Sequence, residues 1–242
     1  MKTLLRKWFP SMMDSLRPAN IFVILVYWLF AFSIIPVGIT LLPYGGLNDT
    51  YGLSWVECIY CAVNGIVMAL IMKECLQSGL LIARLNSRAF AGTVGIAAGA
   101  MILWSLIVWA IGGLAAFPMV QMSVSVTAGT MVSTLPIWGT LCLTFLMPFA
   151  ITGLFYAVGF APVCRHKPWL AYLNIAFLIL LPAVLDMLWR GNVGSVLTVY
   201  LLRLPVHLIA CWSYQKTDSV LTPIVSLSVV NLLTSLVNIF FT

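Results

Sequence analysis

The chain has 242 residues, 62% of them hydrophobic and 7% charged, with a formal net charge of +6. No soluble domain of this size hides so much apolar surface, so the surrounding solvent is expected to be largely lipid. The positive charge does not point to nucleic acid, because the basic residues are scattered over short loops, where headgroups and the positive-inside bias account for them.

Backbone groups in lipid must be satisfied within the protein, which leaves helices or closed barrels. The apolar runs are long and continuous rather than alternating, so the expected fold is all-α, a polytopic transmembrane bundle of about seven spans, with six to eight allowed. Residues 1–17 read as an interfacial segment, with Trp8 and Phe9 toward lipid and Arg6, Lys7 and Arg17 toward headgroups. Residues 18–242 form a single transmembrane domain. No cleavable signal peptide is expected: Lys2, Arg6 and Lys7 precede a mixed stretch with Asp14 and Arg17, and the first apolar run is too long for a signal core.

Span 1 covers 19–42 and ends at the turn Pro43-Tyr44-Gly45-Gly46. Asn48-Asp49-Thr50 follows as an exposed loop, a glycosylation pattern only in a eukaryotic secretory setting. Span 2 covers 53–72 and carries Glu57 and Asn64; Lys73, Glu74, Arg84 and Arg88 then bracket an amphipathic connector. Span 3, 90–115, opens with Gly92, Gly95 and Gly99, a spacing that lets a neighbouring helix approach closely. Residues 126–162 are too long for one straight span, and Pro136 and Pro148 divide them into an interfacial or kinked piece and span 4. Arg165-His166-Lys167 closes that span; spans 5, 6 and 7 follow at 168–189, 195–213 and 219–241. Between the last two lies a polar turn, where Asp218 or Ser219 caps the next helix and Pro223 falls in its first turn.

With the N-terminus inside, Lys2, Arg6, Lys7, Arg17, Lys73, Arg84, Arg88, Arg165, Lys167 and Lys216 fall on the inner side, leaving only Arg190 and Arg203 of the 12 basic residues elsewhere. The six cysteines, Cys58, Cys61, Cys75, Cys142, Cys164 and Cys211, lie in or beside apolar runs and read as small packing residues. No second ligand pair accompanies Cys58 and Cys61, and His166 and His207 are too few for a metal site, so neither metal nor cofactor is expected.

An ionisable group at membrane depth costs on the order of 3 kcal/mol on insertion scales and needs a partner or a purpose. Asp186 and Arg190 stand four apart and can pair across a helical turn; Arg203 and His207 share a face in the same way. Asp186, Arg190, Arg203, His207 and Asn231 are therefore the candidates for a polar pocket. A structural ion pair and a hydrogen-bonded packing histidine are the plainer readings of the same residues. Glycine-rich phosphate loops, nucleophile elbows and His-Glu-x-x-His helices are not present in the sequence.

The run from Tyr214 through Asp218-Ser219 to Pro223-Ile224-Val225 resembles the segment before the last catalytic helix of the CAAX prenyl protease and bacteriocin-processing family (CPBP, also called Abi). Phe149 to Tyr156 looks like the region of that family's E-E-x-x-x-R helix, and Pro168 to Asp186 like its F-x-x-x-H helix. The likeness covers 145–240. It implies a glutamate-dependent intramembrane protease, with a glutamate that activates water and with histidines and an asparagine that hold the reacting groups. On that register Met147 and Pro148 stand at the glutamate pair, Thr152 at the arginine, Pro182 at the phenylalanine, Asp186 at the first histidine and Leu227 at the last histidine, and only Asn231 is kept. Methionine and proline supply no base and leucine no donor, so the resemblance implies an inactive member. A second register, on Lys73-Glu74 to Ser78-Gly79, restores one carboxylate and not the set.

The leading expectation is a non-catalytic membrane protein of the bacterial cytoplasmic membrane that binds another membrane protein as scaffold, regulator or subunit. The alternatives are a hydrolase with a displaced site at Asp186, His207 and Asn231, a bacteriocin-immunity protein, and a transporter component, for which Pro136 and Pro148 permit a broken helix.

Overall fold

The computed structural model describes residues 59, 62–70, 72–112, 144–149, 152–164, 167–190 and 203–241. The chain is all-α across them: α1 (Lys73–Leu85), α2 (Ser87–Gly112), a π-helical segment (Thr152–Phe160) continued by α3 (Ala161–Cys164), then α4 (Pro168–Arg190), α5 (Leu204–Thr217) and α6 (Leu221–Phe241). Helical residues also run over 144–149. The expected N-terminal segment, span 1, its following turn and loop, Glu57, Pro136, Arg165 and His166 lie outside the described residues, as do the side chains of Glu74, Pro182, Asp186 and Arg190.

The helix boundaries follow local chemistry. Lys167 accepts the first backbone bonds of α4 at 3.1 and 3.2 Å, and Pro168 sits at its first position, where no donor is lost. The turn between α5 and α6 uses both candidate caps, for different jobs. Asp218 ends α5 in a left-handed conformation, φ 56°, with its N–H on the Tyr214 carbonyl. Asp is one of the few residues that adopts this conformation locally. Ser219 then accepts the Leu221 N–H at 3.3 Å, and the hydroxyls of Thr217 and Thr222 meet at 2.6 Å across the turn. Pro223 is buried within the first turn of α6, where its missing donor is an orphan in any case. The hairpin is antiparallel by this short connection.

Among the described residues one helical stretch, Ser87–Val108 within α2, is long and apolar enough to cross a bilayer by itself, with a mean hydropathy of 1.9 over its window. Ala62–Leu70 and Cys75–Leu85 meet at 79° and together form a second, broken stretch. Shorter apolar stretches lie in α4 (Pro168–Leu180) and α6 (Leu221–Thr234).

The core joins Met68, Met72, Met101 and Met147 to Tyr156, Phe160, Ile175, Val206, Leu227 and Val230. Unbranched methionines suit such a junction, because they fill irregular gaps between helices that cross at differing angles. α2 packs on α5 and α6, which pack on each other; the π segment lies against α4 and α5. Tyr172 on α4 donates to Gln215 on α5 at 2.9 Å and ties that pair at one end.

Among the described residues no helix approaches closely at the glycine row of α2. Gly92, Gly95 and Gly99 are exposed, and a Cβ at any of them would meet nothing within 4 Å. The inward face of α2 is made by Ala97, Ala98, Met101 and Ser105 instead, so the three glycines point away from the other described helices. The tight crossings are elsewhere. A Cβ at Gly65 would overlap the Leu146 carbonyl oxygen, and one at Gly159 would stand 2.8 Å from Leu178 Cδ1.

Candidate functional site

The region that the resemblance singles out is the junction of the π segment with α5 and α6. In the π segment the backbone bonds skip one residue more than in an α-helix, a form that is rare and found mostly as single turns. Nine residues adopt it here. Near its end, Asn174 of α4 donates Nδ2 to the Gly159 carbonyl at 2.7 Å. Phe160 is held edge-on between Tyr172, with ring centroids 5.0 Å apart, and Tyr214, at 6.1 Å.

The one buried imidazole among the described residues, His207, is taken up by this segment. Its Nδ1 lies 2.6 Å from the Tyr156 hydroxyl, and the Phe155 ring tilts against it at 5.3 Å. With the proton on Nε2 the tyrosine donates to Nδ1; with the other tautomer Nδ1–H donates to the hydroxyl. In both, one hydrogen bond joins Nδ1 to the hydroxyl inside the bundle. His207 is thus buried with one side-chain hydrogen bond and an aromatic neighbour.

The family positions are filled as follows. Met147 and Leu227 are core side chains, Leu227 wholly inaccessible, and Pro148 is buried beside Met147. Thr152 is fully buried, and its hydroxyl makes no hydrogen bond. Asn231 is also fully buried, and neither its Nδ2 nor its Oδ1 has a partner; Ser226 Oγ shares that condition. No hydrogen bond therefore links Asn231 to His207. Arg203 stands half-buried at the head of α5. Asp186 and Arg190 lie on the last turns of α4.

Met147, Pro148, Thr152 and Leu227 carry neither an acid nor a base, so among these described side chains the arrangement offers hydrogen-bonding groups in fixed places. Among the described residues no three His, Cys, Asp or Glu side chains gather where a metal ion could be held. Cys75, Cys164 and Cys211 are free thiols, the first and last of them in the core. Tyr156 and Asn174 are the residues that the sequence reading passed over. Tyr156 closes the stretch Phe149 to Tyr156, already singled out by resemblance; Asn174 had as its signal a lone amide in an apolar run.

No family model, no curated protein and no solved structure matches this chain.

Proposed function

We propose that this chain is a polytopic helical membrane protein, a CPBP-like bundle without catalytic groups, that serves as a scaffold or regulatory subunit for another membrane protein. The observation that carries the reading is the filling of the family positions by core side chains. Met147 and Leu227 are 2% and 0% exposed and pack where a base and a donor would have to meet solvent. General acid–base chemistry needs a titratable group within hydrogen-bond reach of the attacking water, and neither side chain has one.

A lipid environment is supported by α2. Only 22% of its most apolar window is buried within the chain, and Ile96 and Leu103 are 63% and 60% exposed. The apolar core helix of a soluble domain would be covered; this one presents isoleucine and leucine outward, which in water is costly and in hydrocarbon is not. The basic-residue pattern supports an N-terminus on the inner side of the membrane.

The test is co-purification in mild detergent from the membranes of the native host. A companion recovered in fixed stoichiometry is expected. It should persist with Asn231→Ala and Asp186→Ala and be lost with Gly95→Ile or Gly99→Ile. The reverse pattern overturns the reading. The hydrolytic alternative draws on the unpartnered Asn231 amide, which could donate to an oxyanion. It predicts a cleavage activity that His207→Ala abolishes.

A further inference from the structure

We propose that one end of the bundle, where the α1–α2 corner, the start of α4 and the α5–α6 turn meet, binds the headgroups of anionic phospholipids. This rests on the membrane reading above and names the lipid that one face of the protein selects.

Two contacts bring that end together. Gly79 of α1 lies against the α5–α6 turn, where a Cβ would stand 2.8 Å from Ser219 Oγ and 3.1 Å from Leu221 Cγ. Tyr172, in the second turn of α4, donates to Gln215 in the last turn of α5 at 2.9 Å. Burial shows which way α1 runs from the turn. Before Gly79 it enters the core at Cys75, and Met72 stands where a Cβ at Gly153 would meet its Sδ at 3.0 Å. After Gly79 the chain leaves the core: residues 84–89 are all exposed, and α2 returns to it at Ala97 and Ala98.

Positive charge gathers there. Of the six lysines and arginines whose side chains are described, Arg84 and Arg88 stand on the corner, Lys167 directly precedes α4, and Lys216 lies in the last turn of α5. All four are exposed, and Asp218 is the one described acidic side chain beside them. Lys73 is set back along α1 from Gly79 by about 9 Å, and Arg203 heads α5 at its far end. Apolar groups are interleaved with the cations: Trp169 near Lys167 is 65% exposed, and Leu85 next to Arg84 is 58% exposed. Indole belongs at headgroup level and leucine in the acyl chains just beneath, whereas guanidinium and ammonium groups donate to phosphodiester oxygens. Four basic residues at the end of apolar helices is a pattern that holds anionic lipid. An acidic protein face would match the charge but not the exposed indole and leucine among it.

The experiment reconstitutes the full chain in phosphatidylcholine vesicles. Electron paramagnetic resonance then compares how strongly spin-labelled phosphatidylglycerol and spin-labelled phosphatidylcholine are immobilised at its surface. A preference for phosphatidylglycerol of roughly fivefold is expected, the factor that one basic side chain carries near a charged surface. Arg84→Gln, Arg88→Gln, Lys167→Gln and Lys216→Gln combined should bring it close to parity, and salt at about 1 M should lower it in the parent. Arg84→Lys with Arg88→Lys keeps the charge and should keep the preference, as should Lys73→Gln with Arg203→Gln. Equal immobilisation of both lipids by the parent overturns the proposal and leaves the membrane reading standing; no immobilised lipid of either kind overturns both. A fourfold variant that retains the preference also overturns it, and if that variant loses a co-purifying companion the face belongs to an acidic protein instead.

Discussion

Replacing Gly65 by alanine tests where the bundle is closed most tightly. The added Cβ would overlap the Leu146 carbonyl oxygen and stand 2.8 Å from its carbonyl carbon and 2.9 Å from its Cβ. All three atoms are in or next to backbone, so no rotamer change relieves the contact, and the two helices must separate. Overpacking of this kind costs typically 1–3 kcal/mol, and a backbone obstacle places the change near about 3. Alanine recovers about 1 kcal/mol of helix propensity, which leaves a net loss of about 2 kcal/mol. For a chain of this length that lowers Tm by roughly 4–8 °C. Gly95→Ala is the matched control: nothing lies within 4 Å of its Cβ, so only the propensity term applies. It should raise Tm by roughly 2–4 °C. Gly159→Ala and Gly153→Ala fall between, because each meets the movable end of a side chain: Leu178 Cδ1 at 2.8 Å for the first, Met72 Sδ at 3.0 Å for the second. The assay is thermal unfolding in one detergent at one scan rate, followed by tryptophan fluorescence. A Gly65→Ala protein that melts with or above the parent would refute the packing argument, whatever Gly95→Ala does.

Tyr156→Phe leaves His207 Nδ1 buried without its partner and should cost about 1–3 kcal/mol in the same melts; Tyr156→Phe with His207→Leu should recover part of that, and strict additivity would show that the pair is not coupled. Asn231→Leu removes two buried unpartnered groups while keeping the branching and heavy-atom count of the side chain, so stability should hold or rise by about 1 kcal/mol; a clear drop in Tm would mean that the fold relies on the amide or has no room for the bulkier methyls. Asp218→Gly places the residue suited to positive φ at the hairpin turn and should add on the order of 0.5–1 kcal/mol. A lowered melting point there would show that the aspartate side chain matters more than its backbone conformation.

The ends of helices were legible because polar residues and prolines punctuate an otherwise apolar chain. Pro168 opens α4 as expected, and the Asp218-Ser219 pair marks the α5–α6 turn, although the sequence could not tell which of the two closed one helix and which opened the next. The interior was less legible for a physical reason. Where nearly every residue from 144 to 164 is apolar, no polar phase reports the helical period, so a π segment and an α-helix look alike. The glycines show the same limit. Spacing says which residues are small and on one side; it does not say what that side meets. Gly92, Gly95 and Gly99 face outward, while the isolated Gly65 and Gly159 sit at the tight crossings. His207 was recognised as a candidate, but its partner lies 51 positions away, a pairing that no local spacing encodes.

Inside and outside of the described bundle are built to opposite specifications. Inward, the described core packs Met147 and Leu227 beside the hydrogen-bonded Tyr156–His207 pair. Outward, α2 offers a long apolar surface interrupted by three glycines with open space above each. Within a bilayer, apolar burial gives helices little reason to associate, because lipid tails are as apolar as leucine; close backbone approach at small residues supplies the attraction instead. A glycine row used inside the chain would have been occupied by α5 or α6, and those helices pack on the alanine side. On the proposed binding role, a row that no described helix occupies is the place to look for a second helix, which is why isoleucine at Gly95 is the more informative substitution and alanine at Asn231 the less.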